Sequence, residues 1–110
     1  MTGNEYQKLA ARTMNRNLPK PSQEKHALFG MSSEVGELQS LYQKRYQGHE
    51  FSEEHAKKEV GDILWMIAEY CTVLGWNLED VMQLNIDKLK ARYPDGFDSF
   101  KSTHRKDGDI

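Results

Sequence analysis

The residues in this 110-residue chain best equipped for chemistry are four carboxylates set out as two like pairs, Glu34-Val35-Gly36-Glu37 and Glu59-Val60-Gly61-Asp62. On a helix, acids three residues apart leave on neighbouring azimuths. Like charges at that separation repel by a few tenths of a kcal/mol, roughly the size of a helix pair effect. A sequence shaped by stability alone would hardly place two such pairs beside its apolar stripes. Grouped carboxylate oxygens suit a hard divalent cation such as Mg²⁺, which takes carboxylates, waters and phosphate oxygens. One pair is weak evidence, because Glu50/Glu53 and Asp95/Asp98 repeat the spacing and read as solvated surface charge. Two pairs at matching positions on adjacent amphipathic helices are a stronger signal.

The elements that must position those acids follow from periodicity. Asn4 to Arg16 reads as a first helix with Tyr6, Leu9, Ala10 and Met14 on one face, ended by Pro19 and Pro21. Ser22 is the expected N-cap of a second, longer helix. Leu28, Met31, Val35, Leu38 and Tyr42 form its stripe, and it should stop at Gly48 behind a basic last turn. Gly30 and Gly36 inside it each cost roughly 1 kcal/mol relative to alanine, so close packing or access to the acids must account for them. Ser52 caps a third helix whose stripe is Val60, Ile63, Leu64, Ile67, Cys71 and Leu74, with Gly75 as its left-handed terminator. Asn77 caps a fourth that runs to Tyr93 before Pro94. Residues 98–110 form a polar tail, expected to be loosely ordered. No useful length of the chain alternates as a strand does. The class is all-α, four helices joined by short connections. If the second and third helices pack antiparallel through their stripes, the four acids face each other.

The fourth helix adds donors. Asn85, Lys88 and Arg92 share one face with Tyr93 adjacent, and an amide, an ammonium, a guanidinium and a phenol all suit phosphate oxygens. Taken alone, that face is an ordinary polar stripe; beside an acidic metal cluster it reads as phosphate recognition. Trp65 fits core, a subunit interface or a stacking platform, with the first two favoured. Trp76 reads as a packing anchor, and Met66 and Tyr42 are candidates for an apolar pocket near the acids. A di-iron bundle would want Glu-x-x-His, yet Gln23, Tyr46, Ser52 and Lys101 stand three before the four histidines. The histidines read as surface residues. No P-loop, dinucleotide fingerprint, CxxC or nucleophile elbow is present.

Composition limits the rest. A net charge of −2 argues against a nucleic-acid polymer as partner. The lone Cys71 reads as a small buried hydrophobe, and a chain without an internal disulfide suits a reducing compartment. No secretory leader or membrane span is evident, so a cytoplasmic location is expected. A chain this short buries a modest fraction of its surface, and oligomerisation is the usual remedy.

With these residues in view, the chain resembles the MazG-like nucleoside triphosphate pyrophosphohydrolases of the all-α NTP pyrophosphatase superfamily. The resemblance is carried by Gly30-x-x-Ser-Glu34-Val-Gly-Glu37-Leu, Lys58-Glu59-Val-Gly-Asp62-Ile-Leu-Trp65 and Asn85-x-x-Lys88-Leu-x-x-Arg92-Tyr-Pro-x-Gly-Phe97. It covers about Ala27 to Phe97. Ser33 stands where many members carry another acid, which leaves the number of ions open. The resemblance implies a MazG-like domain over residues 1–97, a four-helix bundle completed by forming a homodimer or homotetramer. It implies Mg²⁺-dependent hydrolysis of a nucleoside triphosphate, a dNTP or non-canonical NTP, to monophosphate and pyrophosphate in a house-cleaning role, with Mn²⁺ as a substitute ion. Glu34, Glu37, Glu59 and Asp62 would hold the metal and do the catalysis; Asn85, Lys88, Arg92 and Tyr93 would bind the triphosphate. The competing reading is a non-catalytic helical protein that binds nucleotides or a regulatory partner.

Overall fold

A computed structural model describes all of residues 1–110, and every regular element in it is helical. The elements are α1 (Gly3–Ala10), α2 (Lys20–Tyr46), α3 (Glu53–Leu74), α4 (Leu78–Arg92) and a short α5 (Ser99–Thr103). The all-α class is as the periodicity requires, with one helix more than expected.

Local chemistry accounts for the boundaries. Thr2 caps α1 by accepting from the Glu5 N–H at 3.1 Å, two residues earlier than the apolar face suggests. The helix then tightens into a 3₁₀ turn over Ala11–Thr13, so the expected reach to Arg16 is not realised. Ser22 is not the cap of α2. That helix begins at Lys20 with Pro21 in its first turn, where a missing N–H costs nothing because no intrahelical partner exists for it. At the far end Gly48 takes φ 98°, and the N–H of His49 turns back to the Lys44 carbonyl at 2.9 Å. Ser52 and Asn77 cap α3 and α4 through their side chains as expected, and Gly75 ends α3 at φ 72°.

The main packing is an antiparallel hairpin of α2 and α3. Its contacts pair His26 with Glu69 and Tyr42 with Phe51 at opposite ends. The helices approach closely because small residues line the seam. Ala27 and Ala68 are fully buried, and a Cβ on Gly30 would lie 2.5 Å from Met66 Sδ. That contact supplies the packing reason for Gly30. Helix α1 lies across α3, fixed where Trp65 Nε1 donates to the Ala10 carbonyl at 3.1 Å and to Thr13 Oγ1 at 3.0 Å. Gln7 binds the α3–α4 turn, donating to the Trp76 carbonyl and accepting from the Leu78 N–H, both at 2.8 Å. Cys71 is buried, and that burial pushes its thiol pKa up, as suits a structural residue.

One chain does not close a bundle. Helix α4 packs chiefly on α1 and makes no comparable contact with α2 or α3. The radius of gyration is 17.3 Å, against roughly 13 Å for a compact domain of this length. Only 9 of 110 residues are buried, while Val60 is 52% and Leu84 70% exposed. The apolar stripes are therefore half covered by the chain itself.

Candidate metal centre

The Gly30–Met66 approach sets the distance between α2 and α3 at the site. One turn further along α2 lies Glu34, and one turn back along α3 lies Asp62, so the antiparallel hairpin brings them opposite each other. Oxygens of Glu34, Glu59 and Asp62 lie within 4.8 Å of one another. Glu59 and Glu34 are partly buried against the seam and Asp62 is exposed. Glu37, the fourth expected member, stands one turn further along α2, exposed and outside this group of three.

Electrostatics mark the cluster as short of positive charge. Burial, then the charges of Asp62, Glu59 and Glu37, push the Glu34 carboxyl above its ordinary pKa. The Tyr6 phenol on α1 is also pushed up, first by burial and then by Asp62, so α1 forms part of the surroundings. The one basic side chain paired with a cluster acid is His55, whose Nε2 lies 3.1 Å from Glu59 Oε1. Three convergent carboxylates with no sulfur and no close lysine or arginine fit a hard, oxygen-preferring divalent cation rather than zinc.

Beside Glu34 an open groove of about 480 Å³ runs past His26, Phe29, Gly30, Ser33 and Met66. Met66 therefore borders the cluster as anticipated. Tyr42 does not: it packs against Phe51 at 4.8 Å between ring centroids, towards the other end of the hairpin. Trp65 is a structural tie to α1 rather than a stacking platform.

The fourth-helix donors are not brought to the acids within one chain. Asn85 and Lys88 are exposed on α4. Arg92 is held by the tail, its Nε and Nη2 donating to the two carboxylate oxygens of Asp109 at 2.8 and 2.7 Å. Tyr93 packs on Phe97 with ring centroids 5.5 Å apart. The tail, expected to be loosely ordered, instead forms α5 under an Asp98 cap and folds back onto α4.

Two features escaped sequence reasoning. His55 sits four residues before Glu59, a spacing that places it on the same face. His26 is a surface residue as expected, its side chain 50% exposed, but its Nδ1 also lies 3.0 Å from both oxygens of Glu69, which is 3% exposed. The available clue was a glutamate inside the apolar run Met66–Tyr70.

Comparison with known families gives one finding. The model of the MazG nucleotide pyrophosphohydrolase domain matches residues 23–97, a span that contains both acid pairs and all of α4. No curated protein and no solved structure matches the chain.

Proposed function

The chain belongs to the MazG nucleotide pyrophosphohydrolase family, and from that premise we propose that it hydrolyses a nucleoside triphosphate to the monophosphate and pyrophosphate with Mg²⁺. The observation that carries this reading is the convergence of Glu34, Glu59 and Asp62 within 4.8 Å inside the matched segment. These three would hold the cation, with Mn²⁺ able to replace it. Bound there, a divalent cation supplies positive charge against the phosphate oxygens.

The chain's own groups do the rest. Glu37, outside the close trio, orients the attacking water and takes its proton. The water oxygen bonds to the α-phosphorus, the bond from that phosphorus to the bridging oxygen breaks, and pyrophosphate leaves. Lys88 and Arg92, with Asn85 and Tyr93, bind the phosphates and stabilise charge that develops on the departing group. The base lies in the groove by Phe29 and Met66, where an exposed ring offers a flat apolar face. The substrate is a dNTP or a non-canonical NTP, removed in a house-cleaning role.

A second copy of the chain accounts for what one copy leaves apart. Exposed Leu28, Val35, Val60 and Leu64 on the hairpin and Leu84 and Ile86 on α4 are the surface such a homodimer or homotetramer would bury. Packing copies together brings α4 donors to the acids. No helix is long and apolar enough to cross a membrane, and a cytoplasmic location suits a nucleotide substrate.

The test is a pyrophosphate-release panel over canonical and modified nucleotides with Mg²⁺, comparing the native chain with Asp62→Asn. We expect release from at least one nucleotide, lost in Asp62→Asn while the helical circular dichroism is unchanged. Equal rates in both proteins would overturn the assignment. Nucleotide-dependent stabilisation without any release would favour the non-catalytic binding protein.

A further inference from the structure

The C-terminal segment folds against α4 to form a half-open cavity of about 740 Å³. Its wall carries Lys88 and Arg92 from α4 and Lys101, Arg105 and Lys106 from α5 and the residues after it, with Asp109 the acidic side chain among them. One third of the fifteen lysines and arginines of a net-acidic chain thus surround one space. Like charges are not gathered in this way without cost, and one acidic side chain does not balance five basic ones. The volume lies in the range of small-ligand sites, roughly 300–1,000 Å³.

We infer that this cavity is an oligophosphate site, in which the C-terminal segment completes the phosphate-binding face of α4 and Asp109 occupies the Arg92 fork until a phosphate group displaces it. The inference rests on the assignment of Lys88 and Arg92 to the substrate's phosphates. It adds Lys101, Arg105 and Lys106 as further contacts and gives the tail a gating role.

The geometry of the Asp109 pair carries the second half. Both carboxylate oxygens take hydrogen bonds from one guanidinium, at 2.8 and 2.7 Å. A phosphate presents two oxygens to arginine in the same planar, bidentate manner. The Arg92 side chain is only 9% exposed and that of Asp109 19%, so the pair sits inside the wall rather than on an open surface. Arg92, first by hydrogen bonding and then by charge, with Arg105 and Lys88 adding theirs, holds the Asp109 carboxyl below its usual range against the opposing effect of burial. Those contacts favour the ionised form of Asp109, the form that competes with a phosphate for the Arg92 fork. A dianionic or trianionic ligand brings more charge to the five cations than the carboxylate does, and exchange is favourable for that reason.

Isothermal titration of the full-length chain with inorganic tripolyphosphate, without Mg²⁺ and at fixed ionic strength, tests this directly. Asp109→Asn removes the competing charge and should tighten binding roughly tenfold, the worth of one charge-assisted contact. Lys101→Ala combined with Arg105→Ala should weaken it by at least the same factor, with the circular dichroism of both proteins unchanged. Unaltered affinity in Asp109→Asn would overturn the gating role. Unaltered affinity in the double variant, or equal affinity for sulfate and tripolyphosphate, would overturn the site. The outcome is separable from catalysis: a chain that binds tripolyphosphate as expected yet releases no pyrophosphate from any nucleotide keeps this inference and loses the enzymatic one.

Discussion

The α2–α3 seam and the α4–tail cavity treat concentrated charge in opposite ways. At the seam, Glu34, Glu59 and Asp62 crowd within 4.8 Å, with His55 the only basic side chain paired with them. In the cavity, the chain folds its own Asp109 among the cations and gives Arg92 a bidentate partner. The first region carries unrelieved repulsion and the second a built-in counter-ion. Repulsion left standing in a folded protein points to a partner from outside, here a cation. An internal counter-ion points to a place that must be tolerable when empty and open to exchange when an anion arrives.

That contrast breaks most visibly at the acids. Removing one charge that acts on the reacting phosphate should cost roughly 10²–10³ in rate, so Asp62→Asn and Glu59→Gln are expected to lose at least that much pyrophosphate release. Glu37→Gln should lose turnover as well, yet keep the metal. Thermal melts then separate the roles. At a Mg²⁺ concentration 100 times its Kd, the native chain should gain about 2.7 kcal/mol of stability. Glu37→Gln should retain most of that gain and Asp62→Asn little of it. If Glu37→Gln loses the gain too, Glu37 belongs with the three ligands and another group orients the water.

Legibility in the sequence divided along the same line. The starts of α3 and α4 at Ser52 and Asn77 and the ends of α2 and α3 at Gly48 and Gly75 were readable, because a Ser or Asn cap and a terminal glycine act locally. Tail and hairpin details were not. Nothing in the spacing of Arg92 and Asp109 announces that the chain between them, seventeen positions on, folds back to pair them. Ser22 failed as a cap because the helix starts two residues earlier, at Lys20, with Pro21 accommodated in its first turn. Glu69 is a buried partner for His26, and no local pattern marks it, since burial depends on which face the neighbouring helix covers. The fourth-helix donors were read as neighbours of the acids, whereas α4 packs on α1 and leaves them apart in a single chain.

Gly30 offers a way to disturb the seam without touching its charge. A methyl group there would meet Met66 Sδ at 2.5 Å. Methionine is flexible, so the seam can yield, but overpacking of this kind commonly costs about 1–3 kcal/mol. Gly30→Ala should lower the denaturation midpoint and also weaken Mg²⁺ stabilisation, because Glu34 lies one turn further along the same helix. The tripolyphosphate affinity of the cavity should not change. A variant that loses stability but binds Mg²⁺ as the native chain does would show that the acids do not depend on this approach.

The smallest effect is also the sharpest comparison, because it differs in sign between the two regions. In the folded chain the Glu34 carboxyl is raised by burial and its acidic neighbours, so it holds its proton more tightly than in the unfolded chain. Stability is then lost as pH rises from the unfolded carboxyl value through the raised one. Glu34→Gln removes that loss, and metal-free protein should gain a few tenths of a kcal/mol at neutral pH, the size of a like-charge helix pair. In acid, with the carboxyl protonated in both states, the gain should vanish. Asp109 is the reverse case. Arg92 lowers its pKa in the folded state, so its stabilisation is present above the unfolded value and lost as pH falls through the lowered one. Asp109→Asn should therefore destabilise at neutral pH and match the native chain in strong acid. Urea titrations at the two pH values read both variants together. The same sign at neutral pH for both would mean that the two regions do not treat charge in opposite ways, and that the cavity, like the seam, is strained when empty.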